Sequence, residues 1–146
     1  MMSKDRMFTK VAKAMGAAHI ALYRRTGGRI GGRFRGAPCL LLTVTGRKSG
    51  QPRTAPLMYG RDGDDYVIVA SKGGMPKSPV WWVNLRSNPS AEIEVGSERH
   101  RVTAEEVQGE DRDRLWKLMA GIYPSYDSYQ RKTTRVIPVV RLHPAN

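Results

Sequence analysis

The sequence predicts a small antiparallel β-barrel flanked by helices and preceded by a basic helical arm. Three observations carry this. Six short apolar or alternating segments lie between residues 37 and 146, most joined to the next by a few Gly, Asp or Ser residues. Two or three segments of helical period are inserted among them without the strict alternation of a βαβ domain, so a Rossmann domain is not expected. The 146 residues also match one domain, long enough to close a core without a disulfide or metal staple.

Met7 to Arg25 reads as a helix. Phe8, Val11, Met15, Ala18 and Leu22 recur at spacings of three and four and form one apolar stripe, with Lys10, Lys13 and Arg24 largely off it. Gly27-Gly-Arg-Ile-Gly-Gly32 ends the helix, because four glycines in six residues make helical order costly. The expected organisation is a basic amphipathic helix with a Gly-rich linker over 1–36 and a barrel domain over 37–146.

Leu40–Thr45 is then a strand, Gly46–Gly50 a turn and Arg53–Tyr59 a second strand. Arg61–Asp65 supplies hairpin-turn residues before Tyr66–Ala70, a buried strand that Ser71–Gly74 breaks. Ser78 as N-cap and Pro79 at the first helical position start a short helix over Val80–Arg86, which ends before Asn88-Pro89. Ala91–Val95 alternates with period two, Gly96–Glu98 turns, and Arg99–Val107 returns. Asp111–Ile122 is an amphipathic helix. Val136–Leu142 is the last strand, with Pro138 marking an edge or a bulge.

Composition narrows the function. There are 25 Lys and Arg against 13 Asp and Glu, a net charge of +12. Residues 1–36 hold nine basic residues and one acid, +8 of that total, the footprint of a segment that meets an anionic surface. No apolar run approaches the roughly 20 residues that span a bilayer. Lys10 and Lys13 interrupt any signal-peptide core, and the single cysteine, Cys39, gives no disulfide framework. The cytoplasm is the expected compartment.

Several chemistries are unsupported. His19, His100 and His143 are far apart and no Cys–His spacing suits zinc, so no metal is expected. Gly46-Arg-Lys-Ser-Gly50 lacks the glycine and Gly-Lys pair of a P-loop, and the Gly27–Gly32 run follows a helix where a dinucleotide fingerprint follows a strand. No Gly-x-Ser-x-Gly elbow is present, and Cys39 reads as a small buried hydrophobe.

Two basic loops at strand ends remain. Arg47, Lys48 and Ser49, with Arg53 just beyond, converge on one turn, where the amides of Gly46 and Gly50 could join them in a concave anion site. Ser71, Lys72, Gly73 and Gly74 form a second loop. Each alone is more often the solvated turn of a hairpin, but two of them at strand ends, with glycines that permit close approach, point to an anionic ligand. Tyr123, Tyr126 and Tyr129 recur every three residues and would point roughly the same way, either to pack a helix on the barrel or to wall a flat-ligand pocket. Trp81 and Trp82 offer another flat surface.

With these residues in view, Pro38 to Pro144 resembles the deazaflavin-dependent nitroreductase family, which binds coenzyme F420. The resemblance rests on Leu41-Leu-Thr-Val-Thr-Gly-Arg-Lys-Ser-Gly-Gln-Pro-Arg53, Ala70–Gly74, Pro79–Leu85, Asn88-Pro89, Tyr123–Gln130 and Arg135–Pro138, in that order. It implies an α+β fold, a split β-barrel like that of FMN-binding proteins, and hydride transfer from reduced F420 to a menaquinone-like quinone or a nitroaromatic acceptor.

The resemblance also implies roles. Arg47, Lys48, Ser49 and Arg53 would hold the cofactor's phosphate, while Thr54, Ala55, Pro56, Leu57 and Met58 with Ala70, Ser71 and Lys72 would flank the deazaflavin ring. Trp81 and Asn84 would close the groove. Tyr123, Tyr126 and Tyr129 would line the acceptor side, Tyr126 reaching the cofactor as well, and Ser71 would donate a hydrogen bond to the substrate. The family pattern has tyrosine at the place of Trp82, which leaves acceptor preference open. Related split barrels often pair, so a homodimer is an expectation.

The basic arm then suits either peripheral contact with an anionic membrane or packing on the barrel, its charges steering the anionic cofactor. Two rival readings stand beside this one: an FMN-dependent split-barrel oxidoreductase, and a basic cofactor- or nucleic-acid-binding module without catalysis. No helix-turn-helix or RNA-binding signature supports nucleic acid as a partner.

Overall fold

The computed structural model describes residues 16–34 and 36–145. Eight antiparallel strands curl into a half-barrel: β1 (Arg33–Phe34), β2 (Ala37–Thr45), β3 (Pro52–Met58), β4 (Gly60–Asp62), β5 (Asp65–Val69), β6 (Ser90–Val95), β7 (Glu98–Glu106) and β8 (Val139–Pro144). Their order is β1-β2-β6-β7-β8-β5-β4, and β3 pairs with β2 off this path. Helix α1 spans 16–26, α2 Val80–Ser87, α3 Gly109–Ile122 and α4 Ser125–Lys132. The helix expected over Met7–Arg25 is present from residue 16 onward; Phe8, Val11 and Met15 lie outside the described residues.

Strand alternation divides the core between two faces. Leu40, Leu42 and Val44 of β2, with Tyr66 and Ile68 of β5 and Val140 and Leu142 of β8, fill the barrel, and α2 plugs it with Trp82 and Leu85. Val67, Val69 and Val139 face outward and are covered by Leu115 and Met119 of α3 and by Tyr123 and Tyr126. β5 is covered on both faces, which is why Tyr66–Ala70 is an unbroken apolar run.

Four sequence expectations are adjusted. Arg61–Asp65 is more than a turn: Gly60–Asp62 is itself a strand paired with β5. Ser78 is not the N-cap of α2, because Pro79 is extended (φ −58, ψ 146) and its carbonyl receives the first helical amide, that of Trp82 at 3.1 Å. The last strand starts at Val139 rather than Val136, since Pro138 lies ahead of it and gives its carbonyl to the Ala70 amide at 3.0 Å. The described part of the arm's expected stripe, Ala18 and Leu22, also does not face the barrel. Ala18 and Leu22 are exposed and Tyr23 is buried instead. Its hydroxyl accepts the Gly96 amide at 2.8 Å and offers its one proton to the carbonyls of Cys39 and Glu94, each at 3.1 Å. A polar tip that satisfies three backbone groups outweighs two small or aliphatic side chains here. Arg24 adds a forked pair to Glu94, with Nη2 2.8 Å and Nε 3.1 Å from its two carboxylate oxygens.

At the other end of the barrel, His143 of β8 places Nδ1 3.0 Å from Asp65 and Nε2 2.7 Å from Glu105. Two carboxylates can both accept only from the doubly protonated ring. Glu105 first, then Asp65, holds the imidazole pKa above its ordinary value. The stability this supplies is complete below the unfolded value, about 6.5, and is lost as pH rises through the higher folded value. His143→Gln is therefore expected to flatten the melting profile on the alkaline side. Between pH 6 and 9 the natural chain should lose about 1–3 °C more than the variant, a modest effect because the pair is partly exposed. Parallel slopes in the two melting-temperature series would remove this assignment.

Candidate functional site

Two cavities that adjoin at Trp81 of α2 form a trough from β3 beside the β2–β3 turn to Tyr126 of α4. At its outer end the turn 46–51 exposes Arg47 and Lys48, with Arg53 beside them on β3. Its geometry is fixed from within. The amides of Gly46 and Gly50, expected to join an anion site, instead bond the carbonyls of Gln51 and Gly46 at 2.8 Å each. The cations remain as the anion-binding groups. Ser49 Oγ accepts from the Gln51 amide at 3.1 Å and from Arg53 Nη2 at 3.4 Å. Asn84, 3% exposed on α2, accepts from the Arg47 amide at 3.1 Å and from Arg47 Nη1 at 3.0 Å, so the helix that plugs the barrel also orients the turn.

Arg53, Thr54, Ala55, Val80, Trp81 and Asn84 line the middle of the trough, a groove of about 270 Å³. Trp81 borders both this groove and the inner pocket, about 430 Å³, whose walls include Pro56, Leu57 and Met58 of β3 and Ser71 and Lys72 of the following loop. Residues 54 to 58 therefore flank the trough in succession because one edge strand runs along its length.

Of the three tyrosines, Tyr126 lines the pocket. Tyr123 and Tyr129 pack against it without lining the pocket, their hydroxyls 2.8 Å apart, and Tyr123 and Tyr126 meet edge to face at 5.1 Å. Burial, helped by the neighbouring Tyr123, pushes the Tyr126 phenol well above its ordinary pKa. It stays protonated at any physiological pH, a hydrogen-bond donor rather than a base.

The loop carrying Ser71 and Lys72 is held from two sides. Lys72 is in the left-handed region (φ 45), and a Cβ on Gly74 (φ 79) would come 2.5 Å from the Tyr129 carbonyl, so α4 lies directly on the loop backbone. From the other side Arg135 donates to the carbonyls of Ala70 (3.1 Å), Ser71 (2.6 Å) and Met75 (2.9 Å). Gln130 of α4 completes the frame, donating to the Arg135 carbonyl at 2.8 Å and accepting the Ile137 amide at 3.0 Å. Ala70, expected beside the ring, is fully buried in the barrel core and is not a wall of the pocket; its carbonyl is held by Arg135.

Sequence reasoning did not find His19, Phe34, Cys39, Val69 and Pro79, which also line the inner pocket. His19 and Phe34 come from α1 and β1, brought there by the docking of Tyr23, and no local signal marks them. Cys39 is 5% exposed, and burial raises its thiol pKa, which keeps it an apolar wall rather than a nucleophile.

Comparisons with known proteins give the family and the fold. Residues 16–144 match the family described as F420H(2)-dependent quinone reductase. An F420H(2)-dependent quinone reductase of Mycobacterium tuberculosis (strain H37Rv) is 55% identical over 128 residues, covering 85% of this chain and 86% of that protein. A solved F420-H2 dependent reductase superposes with a TM-score of 0.68 at 44% identity, over 73% of this chain and 94% of that one. A protein solved as a domain-swapped dimer gives 0.71 at 38% identity, over 92% and 98%. The heme storage protein of Vibrio cholerae, 16% identical with a TM-score of 0.58 over 88% and 89%, shares the fold alone.

Proposed function

Since this chain belongs to the F420H(2)-dependent quinone reductase family, we propose that its trough binds reduced coenzyme F420 with the phosphate at the 47–53 turn and the ring at the inner pocket, where a quinone is reduced. The observation that carries this is a groove beside the cations of the turn that adjoins, at Trp81, an inner pocket with flat apolar walls. The donor set fits the group: Arg47, Lys48 and Arg53 match a phosphate, and Leu57, Met58 and Trp81 match a planar ring.

The bound cofactor supplies the hydride, which is the difficult step. The chain's own residues place and protect the acceptor. Phe34, Val69, Pro79 and Trp81 exclude water, and the frame of Arg135 and α4 fixes Ser71 and Lys72 opposite Tyr126. A quinone carbonyl gains negative charge as it is reduced. The Ser71 hydroxyl and the protonated Tyr126 phenol are the donors suited to that oxygen, with the Lys72 cation nearby. Tyr123 and Tyr129 hold the Tyr126 ring in place.

The same reading extends to a menaquinone-like acceptor, to nitroaromatic acceptors that enter the same pocket, and to a homodimer, which the domain-swapped dimer of a relative supports. Peripheral contact with an anionic membrane fits the +8 charge of residues 1–36. Among the described residues no helix is long and apolar enough to cross a membrane. Co-sedimentation of the full chain with phosphatidylglycerol vesicles, and its loss at high salt, is expected; equal recovery with neutral vesicles would remove the membrane contact.

Fluorescence titration with F420 and, separately, FMN tests the main reading. We expect micromolar or tighter binding of F420, weak binding of FMN, and oxidation of reduced F420 on addition of a quinone. Preference for FMN would move the chain to the flavin-dependent split barrels, and binding of neither would withdraw the reading.

A further inference from the structure

We infer that a shallow apolar groove on α1 seats the apolar side chain of the quinone, so that ring and side chain bind on opposite sides of His19; this rests on the quinone-reductase reading above. The groove, about 490 Å³, is lined by Gly16, Ala18, His19, Leu22, Ile30 and Gly31. His19 also lines the inner pocket, so one imidazole forms a wall common to both. Its position is set from the Gly31 side. Nε2 lies 2.7 Å from the Gly31 carbonyl, and the ring lies so close to the Gly31 backbone that a Cβ there would come within 2.6 Å of Cδ2.

The groove exists because α1 docks through Tyr23 and Arg24, which turns Ala18 and Leu22 of the expected stripe away from the barrel. Leu22 is 45% exposed and Ile30 52%, two large aliphatic side chains presented together at the edge of the acceptor pocket. The chemistry of the lining selects the occupant. Among the described residues its lining holds no charged side chain, and the one polar side chain among them, His19, already bonds Gly31. A polar or anionic ligand would find no free side-chain partner among these residues. A methyl-branched hydrocarbon finds aliphatic walls, and a quinone whose ring lies on the far side of His19 carries such a chain at the distance of one side chain. Binding energy gathered there helps hold the ring against the donors Ser71 and Tyr126.

The test uses the full chain saturated with reduced F420 and two probes, 2-methyl-1,4-naphthoquinone and the same ring bearing a two-isoprene chain. We expect the natural chain to favour the prenylated quinone in kcat/KM by roughly tenfold or more, the scale of a few buried methyl and methylene groups. Leu22→Ser/Ile30→Ser, and independently Ala18→Arg, should reduce that ratio to near one. Both substitutions are at exposed positions, and an unchanged Kd for F420 confirms that the variants are folded. A ratio near one in the natural chain, or a ratio that persists in both variants, overturns the inference; in the second case the groove is covered by residues 1–15 or by a second copy of the chain, and the prenyl group binds elsewhere. Failure of both quinones to oxidise reduced F420 in the natural chain would instead overturn the functional reading itself, and this inference with it.

Discussion

Lys48→Ala is expected to raise the Kd for F420 about tenfold, and Lys48→Ala/Arg53→Ala roughly a hundredfold, with turnover at saturating cofactor nearly unchanged. Both side chains extend from the 46–53 hairpin into solvent at the outer end of the trough, far along β3 from Ser71 and Tyr126. They can therefore contribute charge to binding without touching the reacting atoms. The natural chain should also lose affinity steeply as salt is added, and the double variant should lose it less, because fewer screened cations remain. Arg47→Ala is a different case. It leaves the buried Asn84 carbonyl with only the Arg47 amide as a partner, so it should cost stability as well as affinity. F420 affinity unchanged in Lys48→Ala/Arg53→Ala would remove the phosphate from this turn.

Arg135→Ala should lower turnover roughly a hundredfold while changing cofactor Kd by only a few-fold, and Arg135→Lys should restore little of the loss. The guanidinium reaches three carbonyls of the 70–75 loop at once, which a single ammonium cannot do. Without it three carbonyls lose a partner, and the loop relaxes from the strained Lys72 conformation that turns Ser71 and Lys72 toward the pocket. A displacement of about an ångström at a hydrogen-bonding group can cost that much in rate without touching the bound reactants. Arg135 is thus a positioning residue. The readout that separates this from simple destabilisation is kcat measured well below the melting temperature. If kcat there equals that of the natural chain, Arg135 only holds the fold together.

The basic turn and the strands around it were legible because their signals are local. Arg47, Lys48, Ser49 and Arg53 are close in sequence and a tight turn brings them together whatever else the chain does. Residues 54 to 58 follow the site because one strand carries them along it. The tyrosines were legible as a cluster but not in their separate places: a repeat of three predicts a common direction, whereas a break at Tyr123 between α3 and α4 leaves Tyr126 lining the pocket and Tyr123 and Tyr129 packed against it. Arg135 was visible only as part of a motif. Nothing in its neighbourhood indicates that its fork would meet carbonyls about 60 residues earlier in the chain.

The sequence by itself determined an antiparallel barrel with inserted helices, a cationic hairpin turn, and the resemblance that pointed to F420. Period-two strands, turn residues and short motifs act over a few residues, and their meaning does not depend on distant contacts. The tertiary structure alone decided which face of α1 meets the barrel. A helical stripe of Ala18 and Leu22 competes with one Tyr23 hydroxyl, and the outcome depends on three backbone groups at Cys39, Glu94 and Gly96 that only folding brings within reach. That choice carries His19 and Phe34 to the inner pocket and leaves Leu22 and Ile30 facing outward. The burial of a polar group is decided by the partners it finds, and those partners lie far away along the chain.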